Sequence, residues 1–376
     1  MNNEAILDLH NRVSAAELAN LLNTQLEALA EDPSLAKALP PLMVWGAPGL
    51  GKSSILRDVA AERGIGFIDV RLAQREPVDI RGLPVPGEEG VKWLVASEWP
   101  RDPKSRGIIL FDEITAADRS LQVAAYEFIL DRRLGELYKV PDGWYICAAG
   151  NRTQDRAVAA TMSSALANRF LHVEMVDDVE SWIAWASAHD IHPSVTGFIR
   201  FRPTCLFNQE GENLERGWPS PRSWERVSHM VKLLGDNSVS LLRKAVYGLV
   251  GNRAGVEFLE FFKMCATFDD ILEMMTNQET PVRIPQAADR RYALCSAMSY
   301  MLWRGKTADD ERSRLDGFFR ISMALPPDFA TMAMADVMSA QGKRDPARIA
   351  RLRGHPAYRE WLKKFGTAMN RDRRES

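Results

Sequence analysis

The chain has 376 residues, 46% hydrophobic and 26% charged, with a formal net charge of -2. That length suffices for two or three packed units, and a charge so near zero exerts no global pull toward nucleic acid or an anionic membrane. Four scattered cysteines, Cys147, Cys205, Cys265 and Cys295, form no C-x-x-C pair, which argues against a zinc site or a disulfide framework.

In chain order, residues 14–30 place apolar side chains at helical spacing, and Ser14 followed by Glu17 reads as a capping box. The stretch Asn2–Leu9 carries Glu4 and Asp8 and does not read as a leader, and no apolar run approaches the ~18 residues of a membrane span. A cytoplasmic protein is therefore expected. After a Pro40-Pro41 break come five short strand patterns: Leu42–Trp45, Gly66–Val70, Ile108–Phe111, Trp144–Ala149 and Leu171–Met175. Helical patterns separate them, the first over Ser53–Arg63. Such alternation predicts an α/β fold, a five-stranded parallel sheet covered by helices on both faces. Beyond Val176 the pattern turns to helices between Pro- and Gly-rich turns. From Lys343 to Ser376 eleven Lys/Arg stand against four Asp/Glu, which reads as a solvated basic helix, with acidic partners the alternative.

The first strand runs into Gly46-Ala47-Pro48-Gly49-Leu50-Gly51-Lys52-Ser53, with Ser54 behind it. A phosphate chain needs several fixed donors at once. Three glycines let the backbone curl so that successive N–H groups point inward; Lys52 adds a charge for the β- and γ-phosphates, and the Ser53 hydroxyl suits Mg²⁺. This pattern, with a strand before it and a helix after it, predicts ATP binding. The apolar run ending in Asp112-Glu113 supplies a second magnesium anchor, Asp112, and a residue to orient or deprotonate water, Glu113. The fourth strand ends in Gly150-Asn151, which would bring Asn151 close to a γ-phosphate. Arg169 precedes the last strand, where it would leave the domain edge and reach a neighbouring subunit. Arg222 opens a later helix behind Pro221 and would contact phosphate from a lid.

The ordered set GAPGLGKS, ILFDE, AAGN, LANRF and PSPRS resembles the AAA+ ATPases, over about residues 40 to 230. Within that group it resembles the MoxR-type lineage. Arg71–Trp99, with its hairpin-like Gly87–Gly90, looks like the helix-2 insert that often lines the pore of such rings, and Arg132–Trp144 looks like the pre-sensor hairpin. The resemblance implies sensor 1 at Asn151, sensor 2 at Arg222 acting in cis, and an arginine finger at Arg169 acting in trans. Arg152 and Arg156, where the usual wording differs, stand as further candidate interface arginines. It also implies a homo-oligomer, a hexameric ring, that turns over Mg·ATP to remodel or mature a protein client carrying a von Willebrand factor A domain.

The expected organisation is a helical segment at 1–39, an AAA+ core at 40–176, a helical lid at 177–280 and a helical region with a basic tail at 281–376. Trp182, Trp185, Trp218, Trp224, Trp303 and Trp361 read as packing anchors; so does Phe198–Pro203, despite arginines that would suit single-strand binding. His189 and His192 are too isolated for a metal site. Two rival functions stay open, a nucleic-acid-stimulated motor and a nucleotide-gated scaffold with slow turnover.

Overall fold

The computed structural model describes residues 11–88, 90–152, 162, 167–209, 216–264, 268–342 and 346–375. The chain divides after Asp178 into two compact units.

The first unit contains strands β1 (Arg12–Val13), β2 (Leu42–Trp45), β3 (Gly66–Arg71), β4 (Leu83–Gly87), β5 (Gly90–Leu94), β6 (Gly107–Asp112), β7 (Arg133–Leu134), β8 (Tyr138–Lys139), β9 (Trp144–Gly150) and β10 (Leu171–Met175). Its helices are α1 (Ala15–Glu31), α2 (Lys52–Glu62), α3 (Pro77–Arg81) and α4 (Arg119–Asp131). Six strands form one sheet in the order β1-β10-β2-β9-β6-β3, every pair parallel. The five predicted strands are all present. The sixth, β1, is a two-residue edge that pairs Arg12 with Glu174 and Val13 with Met175. Two residues carry no periodicity, which is why the sequence did not announce it.

Helices cover both faces of this sheet. On one side α4 lays Leu121, Ala125 and Phe128 over Met43, Ile109, Phe111 and Ile146, with the Trp99 ring tilted against Phe128 at a centroid distance of 4.4 Å. On the other, α1 and α2 pack against β9, β6 and β3. Strands buried on both sides cannot alternate polar and apolar residues, so β6 and β9 read as continuous apolar runs. The start of α1 is the predicted capping box: Glu17 N–H donates to Ser14 Oγ at 3.2 Å, and Ser14 N–H to Glu17 Oε2 at 2.8 Å.

Two antiparallel hairpins interrupt the α/β alternation. The β4–β5 hairpin lies inside the Arg71–Trp99 insert, closes with Gly87 opposite Gly90, and leaves Leu83, Val91 and Leu94 exposed. The β7–β8 hairpin lies inside Arg132–Trp144 and pairs Leu134 with Tyr138.

The second unit is helical: α5 (Val179–Ala188), α6 (Pro193–Phe201), α7 (Pro221–Leu234), α8 (Val239–Met264), α9 (Phe268–Thr276), α10 (Ala288–Leu302), α11 (Ala308–Ala324), α12 (Pro327–Gly342), α13 (Pro346–Gly354) and α14 (Pro356–Glu375). Gly251 breaks α8, at φ 73°, a conformation glycine takes without steric cost. Trp182 and Trp224 sit in one apolar cluster with Phe198 and Phe258, and Trp303 and Trp361 in another with Phe318 and Phe319. These four tryptophans are the packing anchors expected; Trp185 and Trp218 are half-buried. Phe198 and Ile199 are also core, Arg200 makes a bidentate pair with Asp336, and Arg202 meets Glu257 at 3.3 Å. That stretch is packing rather than a stacking platform. His192 caps α6, its Nδ1 accepting from Ser194 N–H at 3.3 Å, and burial lowers its pKa to about 4. Among the described residues no helix is long and apolar enough to cross a membrane, and no three or more His, Cys, Asp or Glu side chains gather as a metal-binding cluster.

Candidate functional site

In a parallel sheet all the carboxyl ends lie along one edge. The central neighbours β2, β9 and β6 therefore bring three loops together. The loop after β2 is Gly46–Gly51, and α2 begins at Lys52, where Gly51 supplies no side-chain cap to the first-turn N–H groups. Gly46, Gly49 and Gly51 take φ values of 152°, 89° and 99°. A Cβ on Gly46 would lie 2.8 Å from Met175 O, so the loop can leave the sheet here only without a side chain.

Lys52 is 8% exposed. Its ammonium donates to Gly46 O at 2.6 Å, Ala47 O at 3.0 Å and Asn151 Oδ1 at 3.1 Å. Ser53 Oγ donates to Asp112 Oδ2 at 2.5 Å. Lys52–Asn151 and Ser53–Asp112 are thus two directly hydrogen-bonded pairs, drawn from three separate segments and adjacent through the Lys52–Ser53 backbone. Glu113 follows with φ 56°, a left-handed conformation that costs a residue with a Cβ about 1–2 kcal/mol. The surroundings hold it there. Glu113 N–H donates to Asp112 Oδ1 at 2.9 Å, Ala116 N–H to Glu113 O at 2.9 Å, and Ile114 N–H to Ala149 O at 3.1 Å. Strained backbone of this kind, kept by the structure around it, is common where a side chain is aimed for chemistry. Pro48, Leu50 and Ser54 complete the loop and the first turn of α2; Leu50 is buried.

One contributor was not read from the sequence. Thr115 Oγ1 accepts from Asn151 N–H at 3.2 Å and donates to Asn151 O at 3.4 Å, fixing the backbone of Asn151 from the loop after Glu113. A threonine three positions past Asp112 has no spacing signal; only the adjacency of β6 and β9 reveals it.

Ser53 Oγ and Asp112 Oδ2 face each other as one hydroxyl and one carboxylate oxygen, a donor set that fits Mg²⁺, which takes hard oxygen ligands and keeps waters and phosphate oxygens for the remainder.

The arginines distribute differently. Arg169 precedes β10, at the amino edge of the sheet, opposite the edge that carries Lys52; it is exposed and lines a cavity of about 790 Å³ with Pro40, Pro41 and the β7–β8 hairpin. It is therefore not part of its own chain's Lys52 cluster. Arg152 pairs with Glu174, which Arg12 also approaches at 3.5 Å, so its guanidinium is engaged within its own chain. Arg156 lies outside the described residues. Arg222 belongs to the second unit, exposed in the first turn of α7, whose Ser220 cap accepts from Ser223 N–H at 3.2 Å.

No protein-family model matches the sequence, and no curated protein compared with it matches. Among solved structures the chain is similar to NtrX from Brucella abortus in complex with ADP, at 17% identity over 93% of this chain and 68% of that one, with a TM-score of 0.36. It is also similar to the T158V form of RuvB from Thermotoga maritima, at 17% identity over 78% of this chain and 90% of that one, with a TM-score of 0.38. Likenesses this distant assign neither family nor activity.

Proposed function

We propose that the chain is an ATP hydrolase of the AAA+ type, most similar in motif layout to the MoxR-type lineage. The observation that carries this is the bonded group Lys52–Asn151 and Ser53–Asp112 at the carboxyl edge. Gly46–Ser53 and Ser54 bind the phosphates. To do so, Lys52 exchanges carbonyl partners for phosphate oxygens, which are stronger acceptors because they are charged. Ser53 and Asp112 hold Mg²⁺, which when bound neutralises charge on the β- and γ-phosphate oxygens. Glu113 orients or deprotonates the attacking water, and Asn151, tethered to Lys52, reads the γ-phosphate. Arg169 acts on the nucleotide of a neighbouring copy, and Arg222 acts in cis from a lid at 177–280.

The position of Arg169 at the opposite edge supports an assembly, in keeping with a hexameric ring, since one chain cannot bring its own Arg169 to its own phosphates. The client is a partner protein, by the MoxR resemblance one with a von Willebrand factor A domain, in the cytoplasm. The test uses Glu113→Gln as a trap. The variant should bind ATP with parental affinity, hydrolyse it at under about 1% of the parental rate, and retain a protein client on a pull-down in ATP but not in ADP. Parental turnover by the variant would remove Glu113 from its role. Turnover that rises only with added DNA or RNA would replace the protein-remodelling reading with a nucleic-acid motor.

A further inference from the structure

Between the two edges of the sheet lies a side-chain chain that the motif set does not use. Trp45, the residue just before Gly46, donates from Nε1 to His172 Nδ1 at 2.8 Å. The other ring nitrogen of His172, Nε2, lies 2.7 Å from Ala167 O. His172 sits opposite Met43 and Trp45 opposite Glu174, so the two rings stand two positions apart along neighbouring strands, on the same face, with centroids 6.0 Å apart and planes within 13°.

The donor inventory fixes the proton positions. An indole N–H can only donate, so Nδ1 must be the acceptor and bare; in a neutral imidazole the proton then resides on Nε2, which donates to Ala167 O. That carbonyl also accepts from Phe170 N–H at 3.2 Å, which closes the turn that carries Arg169. The next backbone donor, Leu171 N–H, bonds to Pro41 O at 2.9 Å. At the other end, Trp45 continues into Gly46, whose carbonyl accepts from Lys52. A continuous series of bonds therefore runs from the lysine of the phosphate loop, along one residue of backbone and two aromatic rings, to the turn presenting Arg169.

The geometry points to His172 as a positioning residue that couples the phosphate loop of a chain to the arginine the same chain offers to its neighbour. This rests on the proposed trans role of Arg169. Movement of Gly46 as Lys52 changes partners shifts Trp45, and the indole N–H selects the His172 tautomer that holds Ala167 O. Without that N–H, the imidazole is free to take the other tautomer, which turns a lone pair toward Ala167 O and loosens the turn.

The test measures ATP turnover of the full chain at saturating ATP, at a protein concentration where the rate per chain has levelled, with single-turnover hydrolysis for slow variants and ADP affinity measured separately. His172→Phe keeps an aromatic ring and loses both hydrogen bonds. It should lower kcat about tenfold with ADP affinity unchanged within about twofold, a misplacement effect and not a binding one. Trp45→Phe should move kcat in the same direction by less, and it carries the same test should His172→Phe not fold. In an Arg169→Ala background, neither substitution should cost a further loss. The inference is overturned if both keep the parental kcat, if ADP affinity falls in step with kcat, or if the loss is undiminished once Arg169 is gone. If Arg169→Ala alone leaves turnover untouched, the trans role fails and the coupling with it; if only the His172 and Trp45 variants are silent, the trans role stands and the coupling falls.

Discussion

The two edges of the parallel sheet are built on opposite principles. At the carboxyl edge the functional side chains satisfy one another: Lys52 reaches Asn151, Ser53 reaches Asp112, and Thr115 clamps Asn151. At the amino edge Arg169 is exposed beside a broad cavity. A cluster bonded within one chain is organised before any ligand arrives, which lowers the cost of ordering it. An exposed arginine has the reach and the planar donor fork to serve a second molecule's phosphates. The same parallel topology accounts for both, because it sends every strand's end to one side and every strand's start to the other.

The carboxyl edge is most vulnerable at Lys52. Lys52→Ala removes the one cation of the bonded cluster and leaves the carbonyls of Gly46 and Ala47 and the amide of Asn151 without that donor. Nucleotide affinity should fall by at least about 100-fold, the equivalent of roughly 3 kcal/mol, the upper range for a hydrogen-bonded charge. Titration with a fluorescent ADP analogue measures it, and affinity within threefold of parental would separate the loop from phosphate binding.

Arg169→Ala attacks the other edge. Nucleotide affinity should be unchanged, while turnover in the assembled state falls by about 10³-fold, the lower range for an arginine supplied in trans. The decisive readout is a mixture. Arg169→Ala chains mixed with Lys52→Ala chains should recover turnover above either alone, because each supplies the half the other lacks. A mixture no faster than its components would place both groups in one chain's site.

Glu113→Gln separates chemistry from binding within the carboxyl edge. Turnover should fall about 10²- to 10³-fold with affinity kept, and no mixture with Arg169→Ala should restore the Glu113→Gln chain's own site. Sites of this kind were largely legible in the sequence, since glycine spacing, a lysine and a carboxylate pair at a strand end each have a local chemical reason to be there. Strands β6 and β9 were legible too, as long buried apolar runs. What escaped detection was whatever depends on neighbours distant in sequence. β1 is too short to have a period, Thr115 matters only because β6 lies beside β9, and the Trp45–His172 bond spans two strands joined by more than a hundred residues. Arg152 is a further case: its partner Glu174 stands on β10, which β2 separates from β9, and no spacing in the sequence announces that contact.

Thr115 sets the smallest expected effect and tests whether the carboxyl edge is organised by design or by incidental proximity. Thr115→Val preserves the branched shape and deletes the hydroxyl, so Asn151 N–H loses its acceptor and the Asn151 carbonyl its donor. Gly150 packs against the methyl of Thr115, its notional Cβ only 2.8 Å from that carbon, so valine retains the packing and the change is confined to two hydrogen bonds. Each contributes about 1 kcal/mol at most in a partly hydrated setting. The backbone of Asn151 should therefore shift by a fraction of an ångström, with kcat falling about three- to tenfold and ADP affinity hardly changing, because the Lys52 contact runs through the Asn151 side chain. A fall in ADP affinity as large as the fall in kcat would mean that Thr115 supports the whole loop and not the γ-phosphate side of it; parental kcat would mean that β9 alone holds Asn151 in place.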